Sequence, residues 1–153
     1  MIIFLYTDGA AKGNPGPGGY GIVLEAGKFR KELAAGFRKT TNNRMELLAV
    51  IVGLEALKKP GSQVKVVSDS KYVVDAINKG WLKSWIQKGF KGKKNIDLWK
   101  RMIPLLQKHQ VTFHWVKGHN DHPQNERCDR LAVAASEQPG LPADEGYEMQ
   151  NGV

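Results

Sequence analysis

The chain opens on an unbroken apolar stretch, Ile2-Ile3-Phe4-Leu5-Tyr6, that runs into Thr7-Asp8-Gly9. A short continuous apolar run suits a strand buried on both faces in the middle of a sheet. A second run, Val64-Lys65-Val66-Val67, ends in Ser68-Asp69-Ser70. Ligand sites of open sheets gather at strand ends, so two strands that each deliver an aspartate there suggest a shared carboxylate site. Between them the pattern predicts strands at Tyr20–Leu24 and, after a turn at Gly27, at Phe29–Phe37, which with the first strand form an antiparallel meander. Thr40-Thr41-Asn42-Asn43 offers capping residues for a helix to about Leu57, which Lys58-Lys59-Pro60-Gly61 ends. That helix is apolar almost all round, as a buried helix is, yet it contains Glu46 with no cation three or four residues away.

After the strand at 64–67 a helix opens near Asp69 or Ser70 and runs to about Asn78. A short helix, a loop broken by Gly89 and Gly92, and a helix from Asn95 to about Lys108 follow. Val111–Val116 reads as a fifth strand, Lys117–Pro123 as a loop, and Gln124–Ser136 as a last helix. Residues 137–153 carry Pro139, Gly140, Pro142 and Gly146 and read as an acidic tail behind a domain of residues 1–136, either loosely held or with its acids resting on the basic body. Gly16-Pro17-Gly18-Gly19-Tyr20-Gly21 fits GxGxxG, but a strand follows where a dinucleotide fold needs a helix, so that fold is rejected.

A chain of 153 residues with 41% hydrophobic and 25% charged residues is ordinary for one soluble domain. No apolar run approaches the roughly 20 residues of a membrane-spanning helix, and no basic segment of a secretory signal precedes the first strand. Cys128 is the only cysteine, which suits a reducing compartment, most simply the cytoplasm. Charge changes the picture more. The net charge is +8, yet all 23 lysines and arginines and 11 of the 15 acids precede residue 137, a balance of +12 for that body. Such a body points toward a polyanion, above all nucleic acid. The stretch 79–101 concentrates it, interleaving Lys79, Lys83, Lys88, Lys91, Lys93, Lys94, Lys100 and Arg101 with Trp81, Trp85, Phe90 and Trp99.

Each acid has an ordinary reading. Asp8 suits a turn, Asp69 a helix cap, Glu46 a capping box with Asn43, and Asp129 a solvated helix face between Arg127 and Arg130. Their conjunction says more. Converging carboxylates repel one another unless a divalent cation intervenes, and hard oxygen ligands select Mg²⁺ or Mn²⁺ over zinc. Two such ions, roughly 3.5–4 Å apart, stabilise the attacking and leaving oxygens of phosphodiester hydrolysis.

Thr7-Asp8-Gly9, Thr41-Asn42-Asn43-Arg44-Met45-Glu46, Ser68-Asp69-Ser70, Trp115-Val116-Lys117-Gly118-His119 and Asn125-Glu126-Arg127-Cys128-Asp129 stand in order along the chain. Together they closely resemble type 1 bacterial ribonuclease H over about residues 2–136. The resemblance implies an α/β fold with a five-stranded mixed sheet flanked by helices. It implies endonucleolytic cleavage of the RNA strand in RNA–DNA hybrids, leaving 3′-hydroxyl and 5′-phosphate ends. A monomer is the default expectation, and the sequence names no obligate protein partner. By that likeness Asp8, Glu46, Asp69 and Asp129 bind the catalytic ions, and His119 assists proton transfer or product release. Lys39, Thr41 and Asn95 match a pocket for a phosphate of the DNA strand. Asn14, Asn42 and Asn43 match residues that read the minor groove, where RNA displays its 2′-hydroxyls, and Gly9 lets the backbone approach the hybrid. Trp81, Trp85, Lys88 and the lysines through Lys94 match a basic protrusion that binds the hybrid, one tryptophan packing and one facing DNA. Lys71 stands where the bacterial pattern often has glutamine.

Two other readings stand beside this one: a hybrid-binding module without catalysis, and a different nuclease or strand-transfer enzyme on the same fold. Four retained carboxylates argue against the first, and Trp115–His119 with the protrusion against the second. His119-x-x-His122 with Cys128 hints at zinc, but no fourth soft ligand accompanies them; Cys128 reads as a packing residue.

Overall fold

A computed structural model of the chain describes residues 1–118 and 122–150. Five strands form one sheet in the order β3-β2-β1-β4-β5, with β1 (Ile2–Ala11) at its centre. β1 pairs antiparallel with β2 (Gly16–Ala26) and parallel with β4 (Gln63–Ser68). β3 (Phe29–Thr40) and β5 (Gln110–Trp115) are the edges. The expected meander and mixed sheet are present, but β2 starts at Gly16, so the loop after β1 is shorter than its glycines and prolines suggest.

Alternation along β1 divides the helices between the two faces of the sheet. Leu5 and Gly9 point toward α1 (Asn42–Glu55), and a Cβ on Gly9 would stand 2.5 Å from the Glu46 backbone nitrogen. Gly21, paired with Asp8 in the register, turns the other way and lies directly under the backbone of Cys128 on α5 (Pro123–Ser136). The core gathers Leu5, Ile22, Met45, Leu47, Ile51, Leu54 and Val66, none of them accessible to solvent. Burying each such side chain contributes about 1.5–3 kcal/mol. α1 is thus enclosed, as its all-round apolar surface predicts, with Thr41 as its cap accepting the Arg44 N–H.

α2 (Lys71–Asn78) is capped by Ser70, α3 (Trp81–Gln87) is short, and α4 (Ile96–Lys108) packs beside α1. Phe90 tucks under the glycine-broken connection and is 6% exposed. Among the described residues no helix is long and apolar enough to cross a membrane.

The last segment departs from the expectation of a loose tail. Residues 145–150 form α6 (Glu145–Gln150), and Asp144 and Glu148 are only 6% and 5% exposed. Asp144 receives Arg44 Nε at 2.8 Å and Thr40 Oγ1 at 2.7 Å, while Arg38 Nη2 reaches Glu148 at 2.7 Å. Asp144 and Glu148 thus rest on arginines of the basic body, which satisfies the charge of these acids as they leave water.

Candidate active site

β1 and β4 run parallel and in register from Ile2↔Gln63 to Thr7↔Ser68, so Asp8 and Asp69 leave neighbouring strands at the same end of the sheet. Glu46 approaches from the second turn of α1, brought down by the missing side chain at Gly9. Carboxylate oxygens of Asp8, Glu46 and Asp69 all lie within 4.8 Å of one another. Apart from the neighbouring carboxyls, Glu46 Oε1 and Asp69 Oδ1 are buried without a hydrogen-bond partner among the described residues. Asp129 comes from α5 and faces Asp8 from the other side, outside the three-acid group. No cap role remains for these acids: Thr41 and Ser70 cap α1 and α2, and Arg127 pairs with Glu32 at 2.8 Å rather than with Asp129.

The electrostatics follow from this crowding. Burial, then the charge of Asp69, pushes the Asp8 carboxyl up to about 8, although the Gly9 N–H at 2.9 Å pulls the other way. Burial and the charges of Asp8 and Asp69 push Glu46 well above the usual carboxylate range. A cluster that must hold protons at neutral pH when nothing else balances it, with oxygen donors lacking partners, fits a divalent hard cation. Binding such an ion releases those protons, so Mg²⁺ affinity measured by titration calorimetry should strengthen steadily from pH 6 to pH 8. Affinity independent of pH across that interval would contradict the assignment.

Around the cluster, Gly118 stands so close that a Cβ there would lie 2.7 Å from Asp69 Oδ2. His119 itself lies outside the described residues. Trp115 Nε1 donates to the Asp69 carbonyl at 3.1 Å, and Lys71 Nζ stands 4.8 Å from the centre of the Trp115 ring. Cys128 is fully buried, and burial with the charge of Asp8 pushes its thiol up to about 12, which suits packing and not nucleophilic chemistry. His122 caps α5 through Nδ1 and leans on Tyr6, so the zinc hint loses two of its three members.

A second feature lies beyond the N-terminus of α1. Asn14, Thr41, Asn42, Asn43 and Asn95 line one cavity of about 580 Å³, together with Lys93, Lys94, Tyr147 and Gln150. Asn14 is tied to the start of α1 by its Oδ1, which accepts the Asn42 N–H at 2.9 Å, and Asn42 Oδ1 accepts the Ala11 N–H at 2.6 Å. Asn95 has φ of 61° and is held by Tyr72 Oη and by Arg44. Lys39, on β3, is not among the lining residues. Tyr147 and Gln150 were invisible in the sequence, because nothing in a tail rich in glycine and proline indicates where it docks.

The two protrusion tryptophans separate cleanly. Trp85 packs edge-on against Trp99 with ring centres 5.5 Å apart, whereas Trp81 is 40% exposed beside Lys79. Lys88 and Lys83 are exposed on the same short helix and its end. Trp85→Ala should therefore lower stability by about 2 kcal/mol, or roughly 4–8 °C in melting temperature. Trp81→Ala should leave the melting temperature nearly unchanged and weaken nucleic-acid binding, which parallel thermal and anisotropy measurements would resolve.

Fold and site together define a divalent-metal phosphodiesterase: a carboxylate cluster at the end of a mixed sheet in a strongly basic body. The chain belongs to the ribonuclease H family, whose model matches residues 2–137. It is 59% identical to a ribonuclease H of Desulforamulus reducens, covering 93% of this chain and 92% of that one. It is 55% identical to that of Trichodesmium erythraeum over 95% and 96%. The fold matches the crystal structure of LC9-RNase H1, a type 1 enzyme, with TM-score 0.80 at 32% identity over 99% of this chain and 81% of that one. LC11-RNase H1, solved in complex with an RNA/DNA hybrid, matches with TM-score 0.65 at 26% identity over 88% and 96%. The protein is therefore an enzyme, a hydrolase of the type 1 bacterial ribonuclease H group.

Proposed function

We propose that the enzyme cuts the RNA strand of RNA–DNA hybrids with Mg²⁺ or Mn²⁺ held by Asp8, Glu46, Asp69 and Asp129. The observation that carries this is the group of three acids whose oxygens lie within 4.8 Å, with buried Glu46 and Asp69 oxygens lacking partners. Two ions bound there would activate the attacking water and balance charge at the departing 3′-oxygen, which leaves 3′-hydroxyl and 5′-phosphate ends. The chain's own groups do the rest. Gly9, lacking a side chain, lets α1 pack close enough for Glu46 to join the other acids. His119, next to the Gly118 backbone that lies against Asp69, moves a proton at the scissile phosphate.

Thr41 and Asn95 grip a phosphate of the uncut strand, assisted by Lys39 from the neighbouring β3. Asn14, Asn42 and Asn43 read the minor groove, and Lys71 and Trp115 flank the strand beside Asp69. Trp81 and Lys88 hold the duplex further along, while Trp85 supports them from beneath. The enzyme acts as a monomer in a reducing compartment, consistent with its single buried cysteine.

The test is a substrate panel in Mg²⁺: hybrid, single-stranded RNA, RNA duplex and DNA duplex of one sequence. Cutting confined to the hybrid supports the proposal. Binding without cutting in both Mg²⁺ and Mn²⁺ would leave only a binding module.

A further inference from the structure

The cavity at the start of α1 is walled on one side by the C-terminal helix. Tyr147 is half-buried and Gln150 exposed, and both line the space that Thr41 and Asn95 face. Buried charge ties this helix to the body. Arg44, 2% exposed, is a hub: its guanidinium contacts Asp144 at 2.8 and 3.0 Å, Asp97 at 2.9 and 2.8 Å, and Asn95 Oδ1 at 3.4 Å. Asp144 Oδ1 also accepts the Tyr147 N–H, and Gln150 Nε2 donates to Asp97 Oδ1 at 3.3 Å. Gly146 presses against the Asp97–Arg44 pair with no room for a Cβ. The helix and the asparagine of the phosphate pocket are thus clamped to the same arginine.

Charge placement decides what this wall meets. An acidic helix beside a phosphate site would repel the ligand if its carboxylates were open. Asp144 and Glu148 are instead turned inward onto Arg44 and Arg38, the two carboxylates being 8% and 6% exposed. What the helix presents to the cavity is a phenol and an amide, and Lys93 and Lys94 line the same cavity with positive charge. Neutral donors and an aromatic ring beside cations form a surface that tracks a sugar–phosphate strand.

We infer that Tyr147 and Gln150 are substrate-positioning residues that contact the nucleic-acid strand held by Thr41 and Asn95, and that the Arg44–Asp144 ion pair sets them in place. This rests on the hybrid-cleaving reading above and extends it to a segment beyond the family model's match at residue 137.

The test compares the full-length enzyme with Tyr147→Ala, Tyr147→Phe, Gln150→Ala and the Tyr147→Ala/Gln150→Ala pair. Steady-state cleavage of a labelled hybrid in Mg²⁺ gives KM and kcat, anisotropy in EDTA gives Kd without turnover, and thermal melts report folding. In the double variant KM and Kd should rise about fivefold, with kcat within about twofold and an unchanged slope of binding against salt. Lys93→Ala and Lys94→Ala should each reduce that slope by about one. Unchanged KM and Kd in the double variant would overturn the inference. So would a loss that follows a fallen melting temperature and is shared by kcat, since a merely structural helix behaves that way. A wild-type enzyme that neither binds nor cuts the hybrid would overturn the functional reading itself, and this arm separates the two failures.

Discussion

Asp8→Asn should abolish cleavage, by a factor of about 10³ or more, and at the same time should make the metal-free protein more stable. Both effects have one cause. Asp8 is 5% exposed and crowded by Asp69, with a carboxyl pushed up to about 8. A carboxyl whose folded value exceeds its unfolded one is bound to a proton in the native state over a pH window where the unfolded chain has released it. Native stability from this group is therefore complete below pH ~4 and is lost as pH rises toward about 8. An amide at position 8 removes that loss. In EDTA at pH 8 the variant should melt roughly 3–10 °C above wild type, equivalent to about 1–3 kcal/mol, and the difference should vanish near pH 4. Calorimetric melts at the two pH values check this. A variant less stable than wild type at pH 8 would mean that the Asp8 carboxylate already has a compensating partner.

Arg44→Met has the opposite sign and the largest cost to folding. Burial alone would lower the guanidinium, but the hydrogen bonds it donates to Asp97 and Asp144 outweigh that and hold it above its ordinary value. Methionine fills part of the space but leaves Asp97 and Asp144 facing each other without a cation. Breaking a buried pair from one side costs about 3–5 kcal/mol, so the melting temperature should fall on the order of 10 °C at pH 7. Burial raises the Asp97 carboxyl, but Arg44 outweighs it and holds the group below its usual value. Stability from that pairing is present above pH ~4 and lost as pH falls through the lowered value, so wild type should lose part of its advantage over the variant below pH 4. Equal melting temperatures at pH 7 would show that water already screens the hub.

The centre of this arrangement was legible in the sequence because it is local. Asp8 and Asp69 each follow an apolar run that suits an interior strand, and Glu46 is a lone charge in an apolar helix. Asp129 was different: its pattern suggested a solvated charge between two arginines, and only the motif around Asn125–Asp129 marked it. Where the tail docks was not legible. Asp144 meets Arg44 across 100 positions, and no periodicity records a contact of that span. Trp81 and Trp85 have helical spacing that suggests mutual packing, yet Trp99 from α4 takes the place beside Trp85. Tertiary partners override the helix rule there.

In the proposed function the Asp8–Glu46–Asp69 cluster holds metal for cutting RNA paired with DNA. The most direct measurement uses one hybrid carrying different end labels on its RNA and DNA strands. It is incubated with wild type in Mg²⁺, with wild type in EDTA, and with Asp69→Asn in Mg²⁺. Internal cuts should appear in the RNA label only, in the first reaction only, with the DNA label intact throughout. RNA cutting that persists in EDTA or in Asp69→Asn would contradict the proposal, as would cutting of the DNA strand.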